Sequence, residues 1–304
     1  NIMKIRILSA NDVRQALPMA DAIAGMKQAF AQLATGQAVV PLRGRVNVAP
    51  VSGTTLVMPA YLAQSNDLAV KVVSVFPQNS ARHEPTIYAA VLVLDAETGR
   101  PLALLEGGTL TAIRTGAGAG AATDLLARPD ASVVAILGSG VQARTQLEAV
   151  CTVRHIREVR VYSPTNEHAV EFARQMRGQG PIPPLIRIMS NVETAVRGAD
   201  IICAATTRSK PVFKGKDVSP GTHINGVGSY TPAMQEVDAA TVKRALVVVD
   251  SREAAWEEAG DLIVPLQAGL INEAHIHAEI GEIAAGLKPG RTSPEQITFF
   301  KSVG

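Results

Sequence analysis

The chain has 304 residues, 47% of them hydrophobic and 18% charged, which is enough for two hydrophobic cores and excludes a disordered chain. A formal net charge of +2 and an aromatic content of 4%, with no basic stripe carrying interleaved aromatics, exclude nucleic acid as the main partner. No run of about 18 apolar residues occurs, so no membrane-spanning helix is expected.

The first 123 residues read as a capped helix followed by strands. Ser9 and Asp12 have the spacing of a capping box ahead of a short helix. Residues 18–35 form a helical pattern stopped by Gly36. Apolar, β-branched runs at 54–58, 68–76, 87–94 and 101–105 predict successive strands, the last two joined by a hairpin loop over 95–99. Short turns between them predict a mainly antiparallel sheet. Residues 109–126 then turn helical, with Gly116, Gly118 and Gly120 inside the helix at about 1 kcal/mol each relative to alanine. Close approach to another element or to a ligand would compensate.

From residue 132 strands and helices alternate. Strands are predicted at 132–137, 158–162, 186–189, 200–205, 222–227 and 245–250. Helices are predicted at 141–153 and 166–177, and one more opens on Ser190 with Glu193 as its capping box. A last helix is predicted over 275–287, followed by a loop through Pro289 and Gly290 that returns to the first domain. This rhythm implies an α/β protein with a Rossmann-type, doubly wound parallel sheet.

The strand Val133–Leu137 runs into Gly138-Ser139-Gly140-Val141-Gln142-Ala143, a G-x-G-x-x-A turn in strand–turn–helix context. Gly138 permits the tight turn, Gly140 lets backbone approach a pyrophosphate, and Ala143 is small where helix meets strand. The helix N-terminus offers free N–H groups to the phosphates. A dinucleotide-binding site is expected. The following strand ends in Ser163-Pro164-Thr165-Asn166, without the acid that would hold the ribose hydroxyls of NAD. The small polar residues Ser163, Thr165 and Asn166 leave room for a 2′-phosphate, with Arg144 as a candidate counter-charge. NADPH is the expected cofactor, with NADH as the alternative.

Lys71 lies in the middle of the apolar strand Leu68-Ala69-Val70-Lys71-Val72-Val73. Such a lysine either snorkels from an edge strand or meets an anion in a pocket. Arg114 opens the small-residue helix and Arg43 follows Pro41; a guanidinium binds a carboxylate through two parallel bonds. His275, His277 and Glu279 lack a third ligand at recognisable spacing, so no metal is expected. His83 and Glu84 lie in a polar loop and read either as acid–base groups or as plain loop residues. Cys151 and Cys203 sit in apolar stretches without C-x-x-C spacing and read as buried free thiols of a reducing compartment. The opening residues hold Lys4 and Arg6 but no apolar core of a signal peptide, so a cytoplasmic location is expected. Asn1 and Ile2, ahead of Met3, read as a non-native lead.

Several stretches together resemble the ornithine cyclodeaminase/μ-crystallin family: Val40 to Arg43, Met58 to Tyr61, Lys71 to Asn79, Leu110 to Ala117, Leu137 to Arg144, Gly286 to Arg291 and Phe300 to Gly304. The resemblance implies a homodimer. It implies a substrate-binding and dimerisation domain of α+β type over 1–123, joined by 290–304, and a Rossmann domain over 124–289. It implies that Arg43, Lys71 and Arg114 grip a substrate carboxylate beside Met58, and that Thr115, Thr206, Thr207 and Val227 line the nicotinamide side. Where cyclodeaminases carry an aspartate after the turn Asn225-Gly226-Val227-Gly228, this chain has Ser229, a candidate to bond the substrate nitrogen or a water. That form resembles the family's reductases of Δ1-pyrroline-2-carboxylate and related cyclic ketimines. The alternatives are a cyclodeaminase-type lyase, an open-chain dehydrogenase for alanine or arginine, and a non-enzymatic NADP-dependent binding protein. The sequence ends at Gly304, where the family usually continues into another helix.

Overall fold

A computed structural model describes residues 4–304; the reading of Asn1 and Ile2 lies outside them. Two units separate: residues 1–22 with 32–114, and residues 23–31 with 115–304.

In the first unit Arg6–Leu8 forms β1, and Ala10–Ala16 forms α1 behind the expected capping box of Ser9 and Asp12. Helix α2, Met19–Ala34, follows; its middle belongs to the second unit. Then come β2 (Ala38–Val39), β3 (Gly44–Val48), β4 (Gly53–Leu62), β5 (Asp67–Val75), β6 (Ile87–Asp95) and β7 (Pro101–Glu106). The sheet order is β1-β7-β6-β5-β4-β2, with β3 also on β4, and every pairing is antiparallel except β1 on β7. In the β6–β7 loop Asp95 accepts the Glu97 and Thr98 amides at 3.0 Å, and Gly99 takes φ of 72°. Strand alternation sorts the sheet into two faces. Val73 and Val91 are buried on one, while Val57, Val72, Tyr88 and Leu104 stay exposed on the other.

Helix α3, Gly107–Leu126, begins in the first unit and carries its small residues in the second. There Gly116 and Gly120 have the reason expected of them, whereas Gly118 has room for a Cβ. A Cβ on Gly116 would stand 2.6 Å from the Thr145 carbonyl oxygen, and one on Gly120 would stand 2.8 Å from Ile23. Arg154 gathers carbonyls in the last turn of α3 and just past it, donating to Thr123, Asp124, Ala127 and Arg128 at 3.0–3.1 Å.

The second unit continues with β8 (Val133–Leu137), α4 (Val141–Val153), β9 (Glu158–Tyr162), α5 (Asn166–Met176), β10 (Ile186–Ile188), α6 (Val192–Val196), β11 (Ile201–Ala204) and β12 (His223–Gly226). It closes with α7 (Ala239–Arg244), β13 (Leu246–Val249), α8 (Arg252–Glu258), α9 (Gly260–Gln267), β14 (Ile276–Glu279), α10 (Ile280–Ala284) and β15 (Thr298–Lys301). Eight strands pair in parallel in the order β10-β9-β8-β11-β12-β15-β13-β14. Alternate residues of β8 and β11 feed two separate apolar layers: Ala135, Leu137 and Ile202 enter one, Val134, Ile136, Ile201 and Cys203 the other. The strand order reverses between β8 and β11, which run parallel, and this makes their carboxyl ends the switch point where such sheets bind ligands.

Three expectations are corrected. Residues 290–304 do not join the first unit: β15 lies inside the parallel sheet between β12 and β13. The reason is burial on both faces, Phe299 entering one apolar layer and Phe300 another. The helix predicted over 275–287 begins instead as strand β14, because Ile276 and Ala278 are buried with the period of two that pairing with β13 requires. The cap of α6 is Asn191, which accepts the Thr194 amide at 2.9 Å, not Ser190.

A buried histidine makes the second unit acid-sensitive. The ring of His223 bonds Thr298 Oγ1 at 2.8 Å and Asn225 Oδ1 at 3.1 Å, and burial pushes its pKa down to about 3. An unfolded chain takes up this proton below about 6.5, whereas the folded one stays neutral until about 3. Stability therefore falls as pH drops through that window, by about 1.4 kcal/mol per pH unit once well below 6.5. Urea unfolding between pH 6 and 5 checks this: the loss of stability that His223 contributes as pH falls should be missing from His223→Gln.

Candidate active site

In the first unit Lys71 sits on β5 directly between Met58 on β4 and Val91 on β6. The register turns Lys71 toward the face that buries Val73 and Val91. Burial pushes its ammonium down to about 8, and the positive charges of Arg114, on α3, and Arg43, just ahead of β3, push it the same way. All three side chains are half-buried. Three cations brought within electrostatic range destabilise one another until an anion joins them. This is the chemistry of a carboxylate site, with two guanidinium forks for the two oxygens and one ammonium whose proton is loosely held. His83 and Glu84 are exposed, His83 in left-handed backbone at φ 59° and Glu84 bonded to the Tyr88 hydroxyl.

In the second unit Gly138 leaves β8 at φ 110°, and a Cβ there would stand 2.6 Å from the Ala205 carbonyl oxygen. Gly140 is the N-cap of α4, without a side-chain cap and with open space where a Cβ would be. The first-turn amides of Val141, Gln142 and Ala143 therefore face an open cradle, positive by the helix dipole. The side-chain oxygen of Gln142 is buried without a partner and offers an acceptor to a ribose hydroxyl. Ser139 donates to Ser163 at 3.3 Å across the turn. These residues fit the pyrophosphate and ribose of a dinucleotide. Thr165 caps α5 by its backbone position alone, and Asn166 opens that helix. Arg144 is less available than expected: its guanidinium bonds Gln175 and lies 5.9 Å over the Phe172 ring.

Past the ends of β11 and β12 the chain presents Thr206, Thr207 and Val227, each with some surface open. Ser229 is not part of this surface. It is fully buried and donates to the Met234 carbonyl at 2.6 Å, so its hydroxyl fixes the 229–234 loop instead of facing a substrate. Thr115, next to Arg114 on α3, is half-buried. His275 and His277 donate from their Nε2 atoms to the carbonyls of Val242 and Pro289.

Beneath the strand ends lies a group that sequence reasoning missed: Glu236, Asp261 and Lys301, all fully buried. Glu236 accepts the Thr206 amide at 2.5 Å, the Thr206 hydroxyl at 2.7 Å and the Gly228 amide at 2.6 Å. Asp261 accepts the amides of Glu236 and Val237, and pairs with Lys301 at 3.4 Å. Burial pushes the Glu236 carboxyl up, and the Lys301 ammonium opposes that rise. The signal was present at Lys301, which ends the apolar run Thr298-Phe299-Phe300 much as Lys71 interrupts its own strand.

Residues 3–304 match the model of the ornithine cyclodeaminase/mu-crystallin family. The chain belongs to this family. It is 42% identical over 299 residues to a Δ1-pyrroline-2-carboxylate reductase of Bacillus cereus, covering 98% of this chain and 91% of that one. Among solved structures it resembles a Thermococcus litoralis Δ1-pyrroline-2-carboxylate reductase in complex with NADH and L-proline. That likeness has a TM-score of 0.93 and 44% identity, covering 99% of this chain and 92% of the other. An archaeal alanine dehydrogenase dimer with bound NAD aligns at TM-score 0.91 and 36% identity, over 99% and 91% of the two chains.

Proposed function

We propose that this chain is an NAD(P)H-dependent reductase of cyclic imino acids, taking Δ1-pyrroline-2-carboxylate to L-proline, with the six-membered homologue as a further substrate. The observation that carries the reading is the cluster of Lys71, Arg43 and Arg114 in the first unit. Arg43 and Arg114 hold the substrate carboxylate and thereby fix the position of the neighbouring imine carbon. Lys71, a proton donor near pH 8, keeps the imine nitrogen protonated, which makes that carbon more electrophilic. Met58, beside Lys71 in register, offers an apolar wall to the ring. Gly138, Gly140 and the first turn of α4 hold the dinucleotide phosphates, and Thr206, Thr207 and Val227 take its nicotinamide end. When bound, the reduced nicotinamide supplies the hydride.

The 163–166 loop holds no carboxylate to repel a 2′-phosphate, and Arg144 keeps its charge while its guanidinium is turned onto Gln175 and Phe172. Both NADPH and NADH serve on this reading. The buried Ser229 disfavours a cyclodeaminase, whose amine chemistry needs a carboxylate at that place. Two buried thiols, pushed up to about 12 by burial, suit a cytoplasmic setting. Among the described residues no helix is long and apolar enough to cross a membrane.

The test follows reduced-nicotinamide absorbance with Δ1-pyrroline-2-carboxylate, with NADH and NADPH in parallel. Fast oxidation is expected. Oxidation with pyruvate and ammonia but not with the cyclic imine would move the assignment to an alanine dehydrogenase, the reading that the archaeal relative favours. Ammonia release from L-ornithine with NAD would move it to a lyase.

The exposed apolar face of the first unit is read as the contact of a homodimer. Val46, Val57, Val72, Tyr88 and Leu104 line it, and such a surface is rarely left open on a monomer. Light scattering should give twice the chain mass of 31.9 kDa. Val72→Glu should yield a monomer that still binds NADH.

A further inference from the structure

The buried carboxylate of Glu236 joins the two loops that leave the paired strands β11 and β12, beyond the last ladder bond, from the Val227 amide to the Ala204 carbonyl at 3.1 Å. The loop after β11 carries Thr206, whose amide and hydroxyl both donate to Glu236 Oε1. The loop after β12 carries Gly228, whose amide donates to Oε2. A Cβ on Gly228 would run into the Thr206 carbonyl and the Glu236 carboxylate, so the two loops meet as closely as backbone allows. The Glu236 backbone is itself held: its amide donates to Asp261 at 2.7 Å, and its carbonyl accepts the Val212 amide at 2.8 Å. Asp261 pairs with Lys301, and the Lys301 ammonium donates at 3.3 Å to the carbonyl of Gly226, the last residue of β12. The ties therefore close on the strand end from which they started.

We propose that Glu236 is the positioning residue for the nicotinamide half of the cofactor site, fixing Thr206 relative to Gly228, and so to the neighbouring Val227, through its three hydrogen bonds. The inference rests on the reading that this chain binds a nicotinamide dinucleotide. Glu236 itself touches neither cofactor nor substrate. The phosphate cradle at Gly138–Ala143 rests on β8 and α4 and uses none of these three hydrogen bonds; it meets the Thr206 loop through the packing of Gly138 on the Ala205 backbone, which Leu137 holds separately at 3.0 Å.

Two probes separate the halves: NADH, and ADP-ribose, which lacks the nicotinamide ring. Both are titrated calorimetrically into the full chain and its variants. Glu236→Ala should weaken NADH about tenfold, the loss of a charge-assisted hydrogen bond, and leave ADP-ribose within about twofold. Glu236→Gln keeps the acceptor toward Thr206 and should recover part of the NADH affinity. Thr206→Val removes one donor without emptying the buried site, and should shift NADH in the same direction by less; it carries the test if Glu236→Ala does not fold. Parallel loss of both probes would make Glu236 a general structural residue and overturn the proposal, as would unchanged NADH affinity in all variants. A parent chain that binds neither probe would overturn the cofactor reading itself.

Discussion

Lys71→Met is expected to lower the turnover of a cyclic imine by about 10²- to 10⁴-fold, the usual worth of a positioned proton donor. NADH affinity should stay as it was, because the phosphate cradle belongs to the second unit. Methionine keeps the stem's volume on the sheet, so the change isolates the charge. The pH profile carries the same information with a sign. In the free protein Lys71 holds its proton only below about 8, since burial and the charges of Arg114 and Arg43 disfavour the ammonium. The limb of kcat/KM that it contributes should therefore fall above about 8, and should vanish in Lys71→Met. A bound carboxylate offsets the two guanidinium charges and raises the Lys71 pKa again, so the limb in kcat should lie at higher pH. Binding of L-proline at a pH just above 8 should accordingly take up protons, measurable by calorimetry in buffers of different ionisation enthalpy, and should take up none well below it. An unchanged profile in the variant, or a loss of NADH binding equal to the loss of turnover, would remove Lys71 from the chemistry.

What the sequence made legible follows from how local each signal is. The glycine turn could be read because strand, turn and helix are contiguous, and the structure places Gly138 and Gly140 where a tight turn and an open cradle require them. Lys71 could be read because a lysine within an apolar strand must find a reason to be there. Partners distant in sequence could not be read. Thr298–Lys301 looks like a short tail until β12 and β13 are seen on either side of it. Ile276–Glu279 alternates apolar and polar over only four residues, too few to decide between strand and helix without β13 beside it. Ser229 reads as a partner for the substrate nitrogen or a water because it stands where the family's cyclodeaminases carry an aspartate, and only the fold shows the Met234 carbonyl accepting its hydroxyl proton. Glu236 and Asp261 carried no local mark: acidic residues are mostly solvated, and nothing nearby in sequence announces a lysine 65 or 40 positions on.

Lys301→Met should lower the free energy of unfolding by about 3–5 kcal/mol, the range for breaking a buried ion pair by removing one partner. The cost arises less from the lost attraction than from what is left behind. Asp261 and Glu236 are both fully buried, and without the ammonium two carboxylates stay out of water with only neutral donors around them. The hydrogen bonds to Asp261 Oδ1, from the amides of Glu236 and Val237, do not need the charge. Adding Asp261→Asn to Lys301→Met should therefore restore part of the lost stability, since the asparagine oxygen can still accept both amides. Urea unfolding followed by far-ultraviolet circular dichroism measures each variant, and the double-mutant comparison gives the coupling between the two side chains. A single-variant loss below about 1 kcal/mol would match a solvated surface pair instead. It would mean that water reaches the floor of the β11–β12 strand ends, and the rigidity attributed to the Glu236 ties would lose its physical basis.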